Sequence, residues 1–341
     1  MLLSPGFGDW LSRVNASIAL TTYQAGRLFF IGRKPDGGIR GHERLIEQAQ
    51  GLWTDGETLW VSGQSMLWRF ANALKPGEAT PQGATRKFVP REARVTGRID
   101  MHDIGMAEIA GERRPMFVNT LYSCLATTSA QASFRALWRP RFISALTPED
   151  RCHLNGLAMA DGKPACVTAI SRSDVADGWR ERRRDGGVVV DVASGEIACS
   201  GLSMPHSPRL YDGRLWLLNS GLGEFGFVDL ASGKFTAVCF CPGYARGLAF
   251  TGGYAVIGLS RPRRNQTFEG LELDGRLKAK DAVPRCGLVI VDLATGAIAE
   301  WLRFEHTIHE LYDVAVLEDV IQAEAVGFRG EEIERDIAME A

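Results

Sequence analysis

The chain has 341 residues, and its 39 lysines and arginines nearly balance its 41 aspartates and glutamates. That balance removes the global basic field a sequence-independent nucleic-acid binder needs, so partners have to be recognised locally and nucleic acid is not expected among them. No stretch approaches the roughly eighteen apolar residues of a membrane span, and the opening MLLSPGFGDW lacks both a basic region and an apolar core, so a soluble, unexported, cytoplasmic protein without a membrane partner is expected.

In chain order, residues 17–32 read as the second and third strands of a four-stranded blade. The opening of such a blade then recurs at 51–62, 104–120, 155–169, 208–221, 246–260 and 311–324: a small or polar residue, an apolar run, a Gly or Asp turn, and a second strand. The hairpins Val190-Asp-Val-Ala-Ser-Gly195, Val228-Asp-Leu-Ala-Ser-Gly233 and Val291-Asp-Leu-Ala-Thr-Gly296 repeat the third turn of the unit. Four-stranded units at this spacing predict an all-β fold, a single β-propeller of about six blades over residues 1–330, followed by a polar C-terminal tail, 331–341. The ring is expected to close by joining N- and C-terminal strands in one blade, which hides two edges. No helical apolar stripe of useful length precedes the tail. The seven cysteines are odd in number and lack framework spacing, so reduced thiols are expected.

In a propeller the residues that lead into the innermost strands crowd one end of the axial channel. Aligned on their apolar residues, the repeats place His102, His153, His206 and His309 each three positions before the Gly, Arg or Tyr that opens the strand. Imidazoles delivered by separate rigid elements suit a divalent transition metal (Fe, Mn, Cu or Zn), and a set without thiolates leaves room for substrate. The bland alternative is a wet channel whose polar groups bond to one another or to water. Near the axis, Asn155, Arg246, Glu310, Tyr312 and Asp313 are candidates for acid, base or orienting roles, with Glu310 and Asp313 as carboxylates that would hold the imidazoles. On the same face, the loop through Arg172 and Trp179, the loop through Arg261 and Arg264, and the polar stretch 121–134 are expected to capture substrate together with Arg209 and Asn219. Their arginines suit an anionic ligand, although a charge run equally suits a solvated surface.

The stretches 133–144, 152–158, 172–180, 204–209 and 310–314 resemble the signature of a bacterial family of uncharacterised conserved hypothetical proteins that carry a domain of unknown function. The resemblance spans nearly the whole chain and implies no established activity; within it, His102, His153 and His206 match the pattern. Propellers of this kind include metal-dependent lyases and four-His iron oxygenases as well as pure binding modules. The expectation is therefore a metal-dependent enzyme of lyase or oxygenase type, acting on a polar, anionic small molecule or peptide side chain. The alternative is a non-catalytic propeller that binds a protein or peptide.

Overall fold

The computed structural model describes residues 1–261 and 270–339. Their strands form six sheets around one axis, each a four-stranded antiparallel blade running from an inner strand out to the rim, two of them with one further strand added at the edge. Blade 1 comprises Leu52–Thr54, Thr58–Ser62, Met66–Asn72 and Arg86–Val95. Blade 2 comprises Met101–Ile109, Glu112–Asn119, Cys124–Thr127 and Arg135–Trp138, and blade 3 Leu154–Ala160, Lys163–Ala169, Gly187–Asp191 and Ile197–Leu202. Blade 4 runs through Pro205–Tyr211, Arg214–Asn219, Glu224–Asp229 and Lys234–Phe240, and blade 5 through Tyr244–Thr251, Tyr254–Ser260, Cys286–Asp292 and Ile298–Phe304. Blade 6 closes the ring: its inner strand Val314–Glu318 pairs with Ala16–Thr22, followed by Arg27–Arg33 and Ile39–Leu45. The expected six-bladed propeller and its shared closing blade are both present.

Two features lie outside the sequence-based expectation. A short helix, Phe7–Arg13, buries Phe7, Trp10 and Leu11 between blades 5 and 6, with Leu2–Leu3 pairing on the outer strand of blade 5. The stretch 121–134 is no loop over the histidines: Cys124–Thr127 is the third strand of blade 2, so Ser129 to Phe134 turn at the opposite end. All seven cysteines are free, and among the described residues no helix is long and apolar enough to cross a membrane.

The inner strands are stitched in pairs. At one level the residues alternate Gly51, Asp103, Gly156, Ser207, Gly247, Asp313 around the ring, and each polar member accepts a backbone N–H from the next blade. Leu52 N donates to Asp313 Oδ2 at 3.0 Å, Leu157 N to Asp103 Oδ2 at 2.9 Å, and Gly247 N to Ser207 Oγ at 3.0 Å. Gly247 has φ +76°, and a Cβ there would stand 2.7 Å from Val314 N, so both its backbone and its space exclude a side chain. Arg209 crosses the axis at this level. It meets Asp103 at 2.8 and 3.2 Å and Asp313 at 3.5 Å, tying blades 2, 4 and 6 into one buried crossbar. Burial pushes the Asp313 carboxyl up to about 7 against the pull of Arg209, whose charge it shares with Asp103.

Candidate functional site

Pairing with the second strands fixes which inner-strand residues are equivalent. Leu52 faces Val61, Ile104 Phe117, Leu157 Val167, Leu248 Ile257 and Val314 Leu20, while Pro208 falls between paired His206 and Arg209. Two residues before each of these stand Gln50, His102, Asn155, His206, Arg246 and Tyr312, one from every blade, and all six are buried. In blades 2 to 5 the ladder shifts register just here, and such bulges turn side chains that a regular strand would aim elsewhere.

This register differs from the one read in the sequence. His153 lies two residues ahead of the ring position that Asn155 occupies, and its backbone is left-handed at φ 49°. That conformation, uncommon for a residue with a Cβ, carries its ring to His102, with centroids 4.9 Å apart and planes at 84°. His309 lies three residues ahead of Tyr312, is exposed, and is not brought to the other imidazoles. Tyr312 stands in the position equivalent to His102 where His309 was expected, and packs 5.2 Å from His102.

Each of the three buried histidines, His102, His153 and His206, has its Nδ1 committed. His153 Nδ1 lies 2.8 Å from Asp150 Oδ2, and His206 Nδ1 lies 2.9 Å from the Met204 carbonyl; the carbonyl requires a protonated Nδ1, and so does the Asp150 carboxylate in its ionised form. His102 Nδ1 lies 2.7 Å from Thr120 Oγ1, whose single proton is directed to the Leu154 carbonyl at 2.6 Å, so here too Nδ1 donates. In the neutral rings every Nε2 therefore keeps its lone pair. His206 Nε2 is buried without a hydrogen-bond partner among the described residues. Burial, outweighing the attraction of Asp100, pushes His102 down to about 3, and burial followed by the charge of Arg246 holds His206 well below its ordinary value. Both are neutral at physiological pH.

Asp150 was not foreseen, although its place three residues before His153 was the available signal. Its Oδ2 also accepts from Trp179 Nε1 at 2.9 Å, and Trp179 stacks on His153 at 4.2 Å, forming a buried wall behind it. Burial raises the Asp150 carboxyl, opposed by the two donors. Asp100, two residues before His102, was missed for the same reason. Its side chain is 40% exposed, and although burial works the other way, His102, His153, Gln50 and Arg246 hold it below the usual carboxylate range. Arg246 stands 4.8 Å from the Tyr312 ring, 5.4 Å from the Tyr244 ring and 3.5 Å from Glu310, leaving its Nε without a hydrogen-bond partner among the described residues. Asn155 accepts from Thr168 at 2.7 Å while its Nδ2 has no partner among the described residues.

The other expected residues lie apart. Arg209 and Asp313 belong to the crossbar. Asn219 is structural, accepting from Ser203 N at 2.7 Å and donating to Glu224 at 3.1 Å. Arg172 is exposed and lines a groove over the outer strands of blade 3 with Phe142 and Asp185. Arg261 donates to the Glu305 carbonyl at 3.3 Å, and Arg264 lies outside the described residues.

Fold and axis together define a six-bladed propeller with three buried histidines near the start of its inner strands, two of them, His102 and His153, in ring contact. The chain belongs to the family described as Domain of unknown function (DUF4915), which its residues 5–326 match. No curated protein matches its sequence. In fold it is similar to a chain of the nidogen/laminin complex at 12% identity and a TM-score of 0.54, over 89% of this chain and 99% of that one. It is also similar to a protein of unknown function from Bacteroides caccae at 12% identity and a TM-score of 0.50, over 88% and 98%. At such identities the likeness concerns the fold alone.

Proposed function

We propose that the chain is a metal-dependent enzyme of lyase or oxygenase type, whose single divalent transition ion is held by Nε2 of His102, His153 and His206. The observation that carries this reading is the common state of the three rings: each Nδ1 is bound as a donor, so each Nε2 is an acceptor. The Asp150–His153 bond is the carboxylate–histidine pairing that orients metal ligands. With metal–nitrogen bonds of about 2.0–2.1 Å, two imidazoles on one ion have centroids about 4.5–5.2 Å apart, and the His102–His153 spacing of 4.9 Å suits that. Among the described residues no three His, Cys, Asp or Glu side chains converge as they stand, so His206 has to close on the other pair.

The ion would supply Lewis-acid or oxygen-activating chemistry. Arg246, buried beside the histidines, would receive the anionic group of a small molecule or peptide side chain. Trp179 excludes water from one side of His153, and the ionised, partly exposed carboxylate of Asp100 would accept a proton from bound substrate.

Purified protein is expected to carry about one equivalent of a transition metal by elemental analysis, with one site per chain. His153→Ala or His206→Ala should remove most of it, and exposed His306→Ala should not. Full retention in the His153→Ala/His206→Ala double variant would refute the assignment. Protein that is free of metal and takes up none when offered it would leave a non-catalytic peptide-binding propeller.

A further inference from the structure

The strand Val314–Glu318 already closes the ring, yet the chain continues back across the rims of blades 6 and 1. Ala323–Ala325 adds in parallel to the outer strand of blade 1, with Ala323 opposite Arg86 and Ala325 opposite Phe88. From blade 6, His42 Nε2 accepts from Ala325 N at 3.0 Å. Beyond Gly327 the contacts change in kind. There Phe328 stacks on Trp68 at 4.0 Å, and two acidic side chains meet cations of the two outer strands, Glu332 with Arg44 at 3.0 Å and Asp336 with Lys87 at 2.9 Å, while ahead of Gly327 Glu324 already lies 3.7 Å from Arg40. Arg91 also donates to the Asp336 carbonyl at 3.0 Å.

The receiving surface is therefore built in two compartments. One is a largely apolar cavity of about 570 Å³ among Leu45, Ile46, Met66 and Trp68, with Arg44 and Glu47 at its edge and Phe328 of the segment forming one wall. The other is a cavity of about 340 Å³ among Arg40, His42, Arg44 and Lys87, which Glu324 and Glu332 of the segment face. The helix that delivers Glu332, Glu331–Arg335, buries none of its residues. Its ion pairs are partly exposed, the kind of contact that adds little to stability and is exchanged readily.

We propose that this groove is a docking site for an acidic peptide segment with an aromatic anchor, and that the chain's own residues 323–336 are its resident occupant. The ligand pattern follows from the occupant: a short extended run to pair with the blade 1 edge, an aromatic residue on Trp68, and carboxylates four and eight residues later, as in Phe328, Glu332 and Asp336. Charge complementarity selects acidic over basic peptides, and the intramolecular occupant sets the threshold a partner has to exceed.

The probe is a fluorescein-labelled peptide of residues 326–339, titrated by anisotropy into the full-length chain. Phe328→Ala/Glu332→Ala/Asp336→Ala weakens the occupant and changes no residue of the blades that receive it, so it should bind the probe at least about tenfold tighter than the wild-type chain. Adding Lys87→Glu should reverse that gain, and raised salt should weaken binding. Equal affinity in wild type and released variant, or equal binding of a peptide with alanine at the three anchor positions, would overturn the proposal. Should the released variant lose cooperative unfolding, the wild-type chain decides. Excess probe must then speed amide exchange at Ala325 and Val326, and unchanged exchange under saturating probe refutes competition for the groove.

Discussion

Arg209→Met is expected to destabilise the fold by about 3–5 kcal/mol in denaturant unfolding, the cost of leaving buried charge uncompensated. The guanidinium answers two carboxylates, Asp103 and Asp313, whose side chains are each 4% exposed. Methionine keeps most of the volume and none of the donors. The pH dependence follows from the Asp313 carboxyl, raised by burial from 3.8 to about 7. A group whose folded value is raised gives stability that is present below the unfolded value and lost as pH rises through the folded one. Wild-type stability should therefore fall between about pH 4 and 7 on this account. The fall should extend to higher pH in Arg209→Met, where no cation favours ionisation, and flatten in Asp313→Asn. Midpoints measured at pH 5.5 and 8 for the three chains decide it, and an Arg209→Met chain as stable as wild type at both would refute the crossbar.

The second large effect is expected at Asp150. Asp150→Asn should lower metal affinity about ten- to a hundredfold in competition with a chelator, the usual consequence of losing a partner that orients a ligand. An amide can turn its NH2 toward His153 Nδ1, which moves the ring proton to Nε2 and removes the lone pair that the reading requires. Trp179 should still stack on His153, so near-ultraviolet circular dichroism should be preserved while affinity falls. Unchanged affinity would detach Asp150 from the site and weaken the whole assignment. Thr120→Val should have a smaller effect through His102.

The propeller was legible in the sequence because its period is long and its hairpins repeat nearly verbatim, as at Val190, Val228 and Val291. Of the four histidines aligned on the repeats, His102 and His206 do share one position, whereas His153 and His309 do not. Alignment on apolar residues assumes one residue per rung, whereas bulges at His102, Asn155, Pro208 and Arg246 each insert an extra residue, and a left-handed His153 reaches the cluster from a different position. His309 was drawn in by the same assumption, and Tyr312 holds that blade's place instead. Asp150 escaped because its link to His153 depends on a turn that no strand pattern encodes. The helix Phe7–Arg13 escaped because seven residues give too few turns for a periodic signal. Residues 331–341 read as a polar tail, and only the fold brings Glu332 and Asp336 to Arg44 and Lys87; Glu324, read at the end of the blade opening 311–324, reaches Arg40 from a strand on the edge of blade 1 instead.

The crossbar of Asp103, Arg209 and Asp313 also faces a second space. Arg209 lines a cavity of about 470 Å³ with Trp53, Met159, Tyr211 and Phe250, farther along the inner strands than the histidines. A guanidinium drawn toward a ligand in that cavity would have to loosen its hold on the carboxylates of blades 2 and 6, so occupancy of the cavity and the tightness of the ring are mechanically linked through one side chain.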